Sequence, residues 1–115
     1  MTMEPVQDDV LIVITNAPDR QAAEKIGRAL IEARAAACVN IMSPCTSIYR
    51  WQGAVETAEE VPVFIKTTAG RYAAAEALIR ELHPYELPEI VAVPAGRGLP
   101  GYLDWVRAET AAGAA

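Results

Sequence analysis

From Ala37 to Thr68 the chain is dominated by β-branched and aromatic positions: Val39, Ile41, Ile48, Tyr49, Trp51, Val55, Val61, Val63, Phe64, Ile65, Thr67 and Thr68. Only the segment around Gln52-Gly53-Ala54 interrupts them. Such residues suit a pleated, half-buried surface, so the stretch predicts two antiparallel arms of about 15 residues joined by a short turn. At ~3.3 Å per residue an unbroken arm reaches roughly 50 Å, whereas a compact chain of ~100 residues has a radius of gyration of only about 13 Å. The arms are expected to overhang. An overhanging apolar ribbon with unpaired edges aggregates unless it is covered, and the usual cover is another copy of the same subunit.

The flanking patterns supply the remaining elements. Asp9 to Thr15 is an uninterrupted apolar run, which predicts a central strand buried on both faces. Asn16-Ala17-Pro18-Asp19 offers a capping residue and a proline suited to a first helical turn. Ala22, Ala23, Ile26, Ala29, Leu30 and Ala33 then recur at helical spacing, an alanine-rich stripe able to pack close to a sheet. A second amphipathic helix carries Tyr72, Ala75, Leu78, Ile79 and Leu82 and ends at His83, because Pro84 disfavours the α region for the residue before it. Glu89 to Pro94 reads as a further strand, and Tyr102 to Ala108 as a short closing helix or turn.

Strand, helix, strand, strand, helix, strand, with one extra C-terminal element, predicts an α+β, ferredoxin-like βαββαβ sandwich with a long hairpin. A doubly wound sheet does not fit, since the turn at Gln52-Gly53 is too short for a parallel crossover. Pro62 conflicts with a regular third strand and predicts an edge, a bulge or a division into two shorter strands; Pro44 raises the same question in the second arm. One domain is expected over 9–110, with flexible tails at 1–8 and 111–115.

Composition narrows the partners. A chain of 115 residues is large enough for one self-sufficient core. Cys38 and Cys45, seven residues apart, would stand roughly 23 Å apart on extended chain, too far for a disulfide. Free thiols, and an N-terminus with neither a basic region nor an apolar run, predict a cytoplasmic protein. No segment reads as membrane-spanning. A formal charge of −5 disfavours phosphate backbones and hence nucleic acid, and makes cations the better partners.

Three blocks carry a family resemblance: Ala36-Ala37-Cys38-Val39-Asn40-Ile41, Ser47-Ile48-Tyr49-Arg50-Trp51-Gln52-Gly53, and His83-Pro84-Tyr85-Glu86-Leu87-Pro88-Glu89-Ile90. Together with Thr15, Leu30, Glu60, Ile65-Lys66-Thr67 and Tyr102-Leu103-Asp104-Trp105, they make the chain resemble the CutA divalent-cation tolerance family from about Val10 to Val106. The resemblance implies a ferredoxin-like subunit, a homotrimer whose long strands pair between subunits, and an association with copper and other divalent metals. It also implies architectural similarity to PII-type signalling proteins, which bind ligands at subunit clefts. Pro62 and Cys45 depart from the family pattern, which usually has aliphatic residues there.

Soft thiolates and imidazole suit copper, so Cys38, Cys45, His83 and Met42, with carboxylates Glu86 and Glu89, are the available donors. Two cysteines and one histidine cannot close a four-ligand Cys/His site in one chain. Cys38 and His83 match the family's cysteine and histidine and are carried over as candidate metal ligands. The alternative is that Cys38 is a small apolar strand residue and His83 a helix C-terminal cap. No obligatory cofactor is expected, copper or another divalent ion being the candidate.

Tyr85, Glu86 and Glu89 on a proline-stiffened loop, with Lys66 from an apolar strand, are candidates for lining a ligand cleft. A tight helix-to-strand turn, and a lysine that pairs with Glu60 or snorkels to solvent, are the alternatives. Tyr49, Trp51 and Trp105 are candidate interface anchors. Gly96-Arg97-Gly98-Leu99-Pro100-Gly101 spells a dinucleotide fingerprint but lacks the βαβ unit that the motif requires, so it is assigned to a turn. No nucleophile, base and orienting group assemble, and a cysteine on an interior strand is a poor nucleophile, so an enzyme is not expected. Three readings follow: a homotrimer of divalent metal tolerance, a PII-like ligand sensor with sites at subunit clefts, and a structural trimer without a small ligand.

Overall fold

The computed structural model describes residues 6–111. In order these form β1 (Val10–Ala17), α1 (Arg20–Glu32), β2 (Cys38–Ile41), β3 (Cys45–Trp51), β4 (Ala54–Thr68), a 3-10 turn (Ala69–Arg71), α2 (Tyr72–Leu82), β5 (Val91–Pro94) and α3 (Pro100–Glu109). The antiparallel sheet runs β2-β4-β1-β5, with β3 added to the far end of β4. The fold is the expected α+β, ferredoxin-like sandwich, with α3 as its extra element.

Local chemistry explains the boundaries. The cap of α1 is Asp19, whose Oδ1 accepts from Ala22 N–H at 2.8 Å, so the strand runs on through Asn16 to Ala17. Ala23, Ile26, Gly27 and Leu30 form the buried stripe of α1. A Cβ on Gly27 would lie 3.1 Å from Val39 Cγ1, so the missing side chain lets the helix approach β2. His83 ends α2 in an extended conformation ahead of Pro84, as expected. The hairpin turns on Gln52 (φ 49°) and Gly53 (φ 83°), two left-handed residues between the paired Trp51 and Ala54, the form of turn whose twist matches the strands it joins.

Pro44 breaks its arm as expected, whereas Pro62 does not divide its own. The third arm is one continuous 15-residue strand through Pro62, while the second is broken at 42–44 into β2 and β3. Pro62 O accepts from Met42 N–H at 2.9 Å. A strand residue's N and C=O point to the same side, so the absent N–H of Pro62 faces the end of β2 at Met42 and not β1, and the β1–β4 ladder loses no bond to it.

The overhang is present. From Ala54 to Glu60, β4 pairs with β3 alone, and β1 joins only from Val61 onward. The Cα radius of gyration is 14.8 Å, with extents of 43 × 37 × 23 Å, above the about 13 Å of a compact chain. The expected terminal tails fall mainly outside the described residues. Within them, 6–8 are tied down: Gln7 O accepts from Gly70 N–H at 3.0 Å and Asp8 O from Arg107 Nε at 2.7 Å.

One face of the sheet is packed and the other open. Val13, Thr15 and Ala17 of β1 and Val61, Val63, Ile65 and Thr67 of β4 are buried on the face that receives the stripes of α1 and α2. On the opposite face α3 packs against β1 and β4 near the buried Val10 and Thr68. Beyond it, Ile12 and Ile14 are half-buried, and Phe64, Val91 and Val93 are 36%, 48% and 44% exposed. β1 is therefore central but not buried on both faces within one chain. Its apolar run is adapted to a second cover that the described residues do not provide.

Candidate functional site on the open face

Strand alternation places Asn16, Cys38, Asn40, Glu60, Pro62 and Lys66 on the open face. They form two polar groups. At one end Cys38 stands directly opposite Lys66, and Asn40 Oδ1 accepts from Lys66 Nζ and, at 3.9 Å, from Cys38 Sγ. Burial first, then Cys38, raises the Tyr102 pKa above the ordinary phenol value. Tyr102 and Trp105 have ring centroids 5.6 Å apart, both exposed on α3. Cys38 is half-exposed on an edge strand, not on the interior strand expected from sequence.

The second group lies where the ribbon leaves the sheet. His83 is only 6% exposed. Its Nδ1 accepts from Tyr85 N–H at 3.1 Å, which places the proton on Nε2, and Nε2 donates to Asn16 O at 2.6 Å. Both ring nitrogens are engaged, so a metal at His83 would have to displace one of these bonds. The Tyr85 ring lies 4.6 Å from the imidazole, tilted by 54°. Burial, followed by the Glu60 carboxylate, raises the Tyr85 pKa, with smaller contributions from Tyr49 and Asp19. Asn16 Nδ2 donates to Glu89 Oε1 at 2.9 Å. Glu60 is 8% exposed and faces Cys45 across the ladder. Glu86 is exposed on the loop.

Register separates the two groups. His83 attaches beside the Asn16–Pro62 rung and Cys38 lies on the Lys66 rung, four residues or ~13 Å along β4. The two candidate metal ligands do not meet in one chain. Nor does Lys66 join Tyr85, Glu86 and Glu89, and its amine is held by Asn40 rather than by Glu60. Among the described residues no three His, Cys, Asp or Glu converge on a metal position, so water or a second copy would have to complete any such site. Tyr49 and Trp51 are exposed on the ribbon. Asn16, Asn40 and Tyr102 were not singled out from sequence as site residues, and Glu60 was considered only as a partner for Lys66. The available signal was alternation, since Glu60, Pro62, Phe64 and Lys66 share a face.

Comparison with known proteins agrees with this architecture. The family profile described as CutA1 divalent ion tolerance protein matches residues 11–109. The divalent-cation tolerance protein CutA of Thermus thermophilus is 44% identical over 99 residues, 86% of this chain and 96% of its own length. Protein CutA of Mus musculus is 40% identical over 105 residues, 91% of this chain but 59% of the mouse protein, so the chain spans little more than half of that relative. The crystal structure of CutA from Xylella fastidiosa superposes with a TM-score of 0.86 at 44% identity, covering 89% of this chain and 98% of that one. No helix among the described residues is long and apolar enough to cross a membrane. The chain belongs to the CutA1 divalent ion tolerance family.

Proposed function

We propose that this protein serves in divalent metal ion tolerance as a cytoplasmic homotrimer, with the open sheet face and the overhanging ribbon of each subunit covered by the others. One observation carries the assembly: a central strand apolar on both sides has Ile12, Ile14, Phe64, Val91 and Val93 on a face with no cover among the described residues of one chain. Solvent-exposed apolar area of that extent marks an interaction surface. The family places the role with divalent ions, and Cys38, a half-exposed soft donor on this face, supports copper as an ion it takes. His83 joins as a ligand only by giving up a backbone bond. Neither residue is read as catalytic.

Calorimetric titration of copper into the wild type, Cys38→Ser and His83→Ala tests this. Loss of stoichiometric binding in Cys38→Ser supports the reading, and binding unaffected by both changes removes these residues from it. A second reading, a PII-like sensor of a small anion at a subunit cleft, is favoured by Lys66, whose ammonium is held on the open face by a neutral carboxamide with no carboxylate partner among the described residues. A metabolite panel that shifts the melting temperature of the wild type but not of Lys66→Met would support it.

A further inference from the structure

Where α1 passes β2, the last strand of the sheet, the helical face holds a groove of about 360 Å³. That volume lies at the small end of the range of small-molecule sites, about 300–1,000 Å³. Spacing builds it. Arg28, Ile31 and Glu32 recur one turn apart along α1, and Val39 and Ile41 alternate toward them from β2, on the sheet face opposite Cys38 and Asn40. Gly27 lets the helix close on Val39. The floor is therefore apolar, made by Ile31, Val39 and Ile41, yet Ile31 is left 42% exposed.

The rim carries both signs of charge. Arg28 stands one turn from Glu24 and one turn from Glu32, but the ion pairs among the described residues, Arg20–Glu24 and Arg107–Asp104, include neither Arg28 nor Glu32. Beside an apolar floor there is thus one guanidinium and one carboxylate without an ionic partner among those residues. Four residues of helix are ~6 Å of rise, which two long side chains can bridge onto the substituents of a single carbon.

We infer that this groove binds an apolar α-amino acid, with its side chain on Ile31, Val39 and Ile41, its carboxylate on the Arg28 guanidinium and its ammonium on Glu32. Charge complementarity selects this occupant. The guanidinium fork matches a carboxylate in geometry as well as in sign, and the acid one turn on takes the positive end of the same molecule. A fatty acid would bring no charge to Glu32, and a metal ion would be repelled by Arg28. The groove lies on the helical face, so the inference rests neither on the metal role nor on the trimer.

Calorimetric titration of L-leucine into the wild-type chain tests it, with glycine, isocaproate and L-leucinamide as ligands that lack in turn the apolar body, the ammonium and the carboxylate. Saturable binding of one leucine per chain, weakened in all three analogues, is expected. Arg28→Gln should weaken leucine about twofold to fivefold and leave leucinamide unchanged, and Glu32→Gln should weaken leucine by a similar factor and leave isocaproate unchanged. Both positions are exposed, so neither change threatens folding. A leucine-dependent rise in the wild-type melting temperature is a second readout. Absence of both saturable heat and a melting shift would overturn the inference, as would equal binding of glycine, or leucine binding that is the same in wild type and both variants. Copper titration of Cys38→Ser reads the other face of the sheet, so failure of one claim leaves the other standing.

Discussion

Ala17 faces Val61 on the last rung that β1 shares with β4, and beyond it β4 continues for seven residues with β3 as its partner. The ribbon and the open face are thus one continuous surface, since Glu60, Pro62 and Phe64 share one face across that junction. Phe64 sits opposite Ile14 at its centre. Phe64→Asp is expected to dissociate the assembly, because a carboxylate buried there without a partner is disfavoured by several kcal/mol. Sedimentation of the variant at micromolar concentration checks it: the mass should fall toward one chain while the circular dichroism of the helices persists.

Gly53 holds φ 83° at the hairpin turn and has nothing within 4 Å of where a Cβ would stand. Gly53→Ala therefore tests backbone strain alone. It should destabilise by about 1 kcal/mol, read from denaturant midpoints, with the amides of β3 losing hydrogen-exchange protection before those of β1.

His83 is satisfied on both nitrogens by main-chain groups, Asn16 O and Tyr85 N–H. His83→Ala leaves both in a largely buried setting, a loss of about 1–3 kcal/mol for each group left unsatisfied. Chemical denaturation at constant protein concentration would show it. A change below a few tenths of a kcal/mol would mean that the imidazole is not positioning the loop.

Tyr72, Tyr85 and Tyr102 all have raised pKa values, each with burial as the first cause. A phenol whose folded pKa exceeds its unfolded one contributes stability that is complete below the unfolded value near 10 and is lost as pH rises through the folded one. Stability should accordingly decline as pH climbs above about 10. Spectrophotometric titration of the phenolate band should show a late-titrating fraction that shrinks in Tyr85→Phe.

Much of the fold was legible in the sequence because it follows from local periodicity. The alanine stripe that became Ala23, Ile26 and Leu30, the stop at His83-Pro84 and the overlong hairpin are all short-range signals. Pro44 and Pro62 were legible as irregularities, but which of them would break its strand depends on register, which sets Met42, at the edge of the break, opposite Pro62. The candidate site was half legible. Residue types named Cys38, His83, Tyr85, Glu89 and Lys66, but register decides which of them meet, and it set Lys66 with Asn40 and left His83 and Glu89 beside Asn16. A continuous apolar run in β1 marked two apolar faces without telling which would be covered from outside the chain.

The claim on which the rest depends is that this open face is closed by sister subunits, and sedimentation equilibrium of the wild-type protein at micromolar dilution tests it most directly. The account predicts a single species of three times the 12.4 kDa chain mass. A stable, well-behaved species of one chain mass would contradict it.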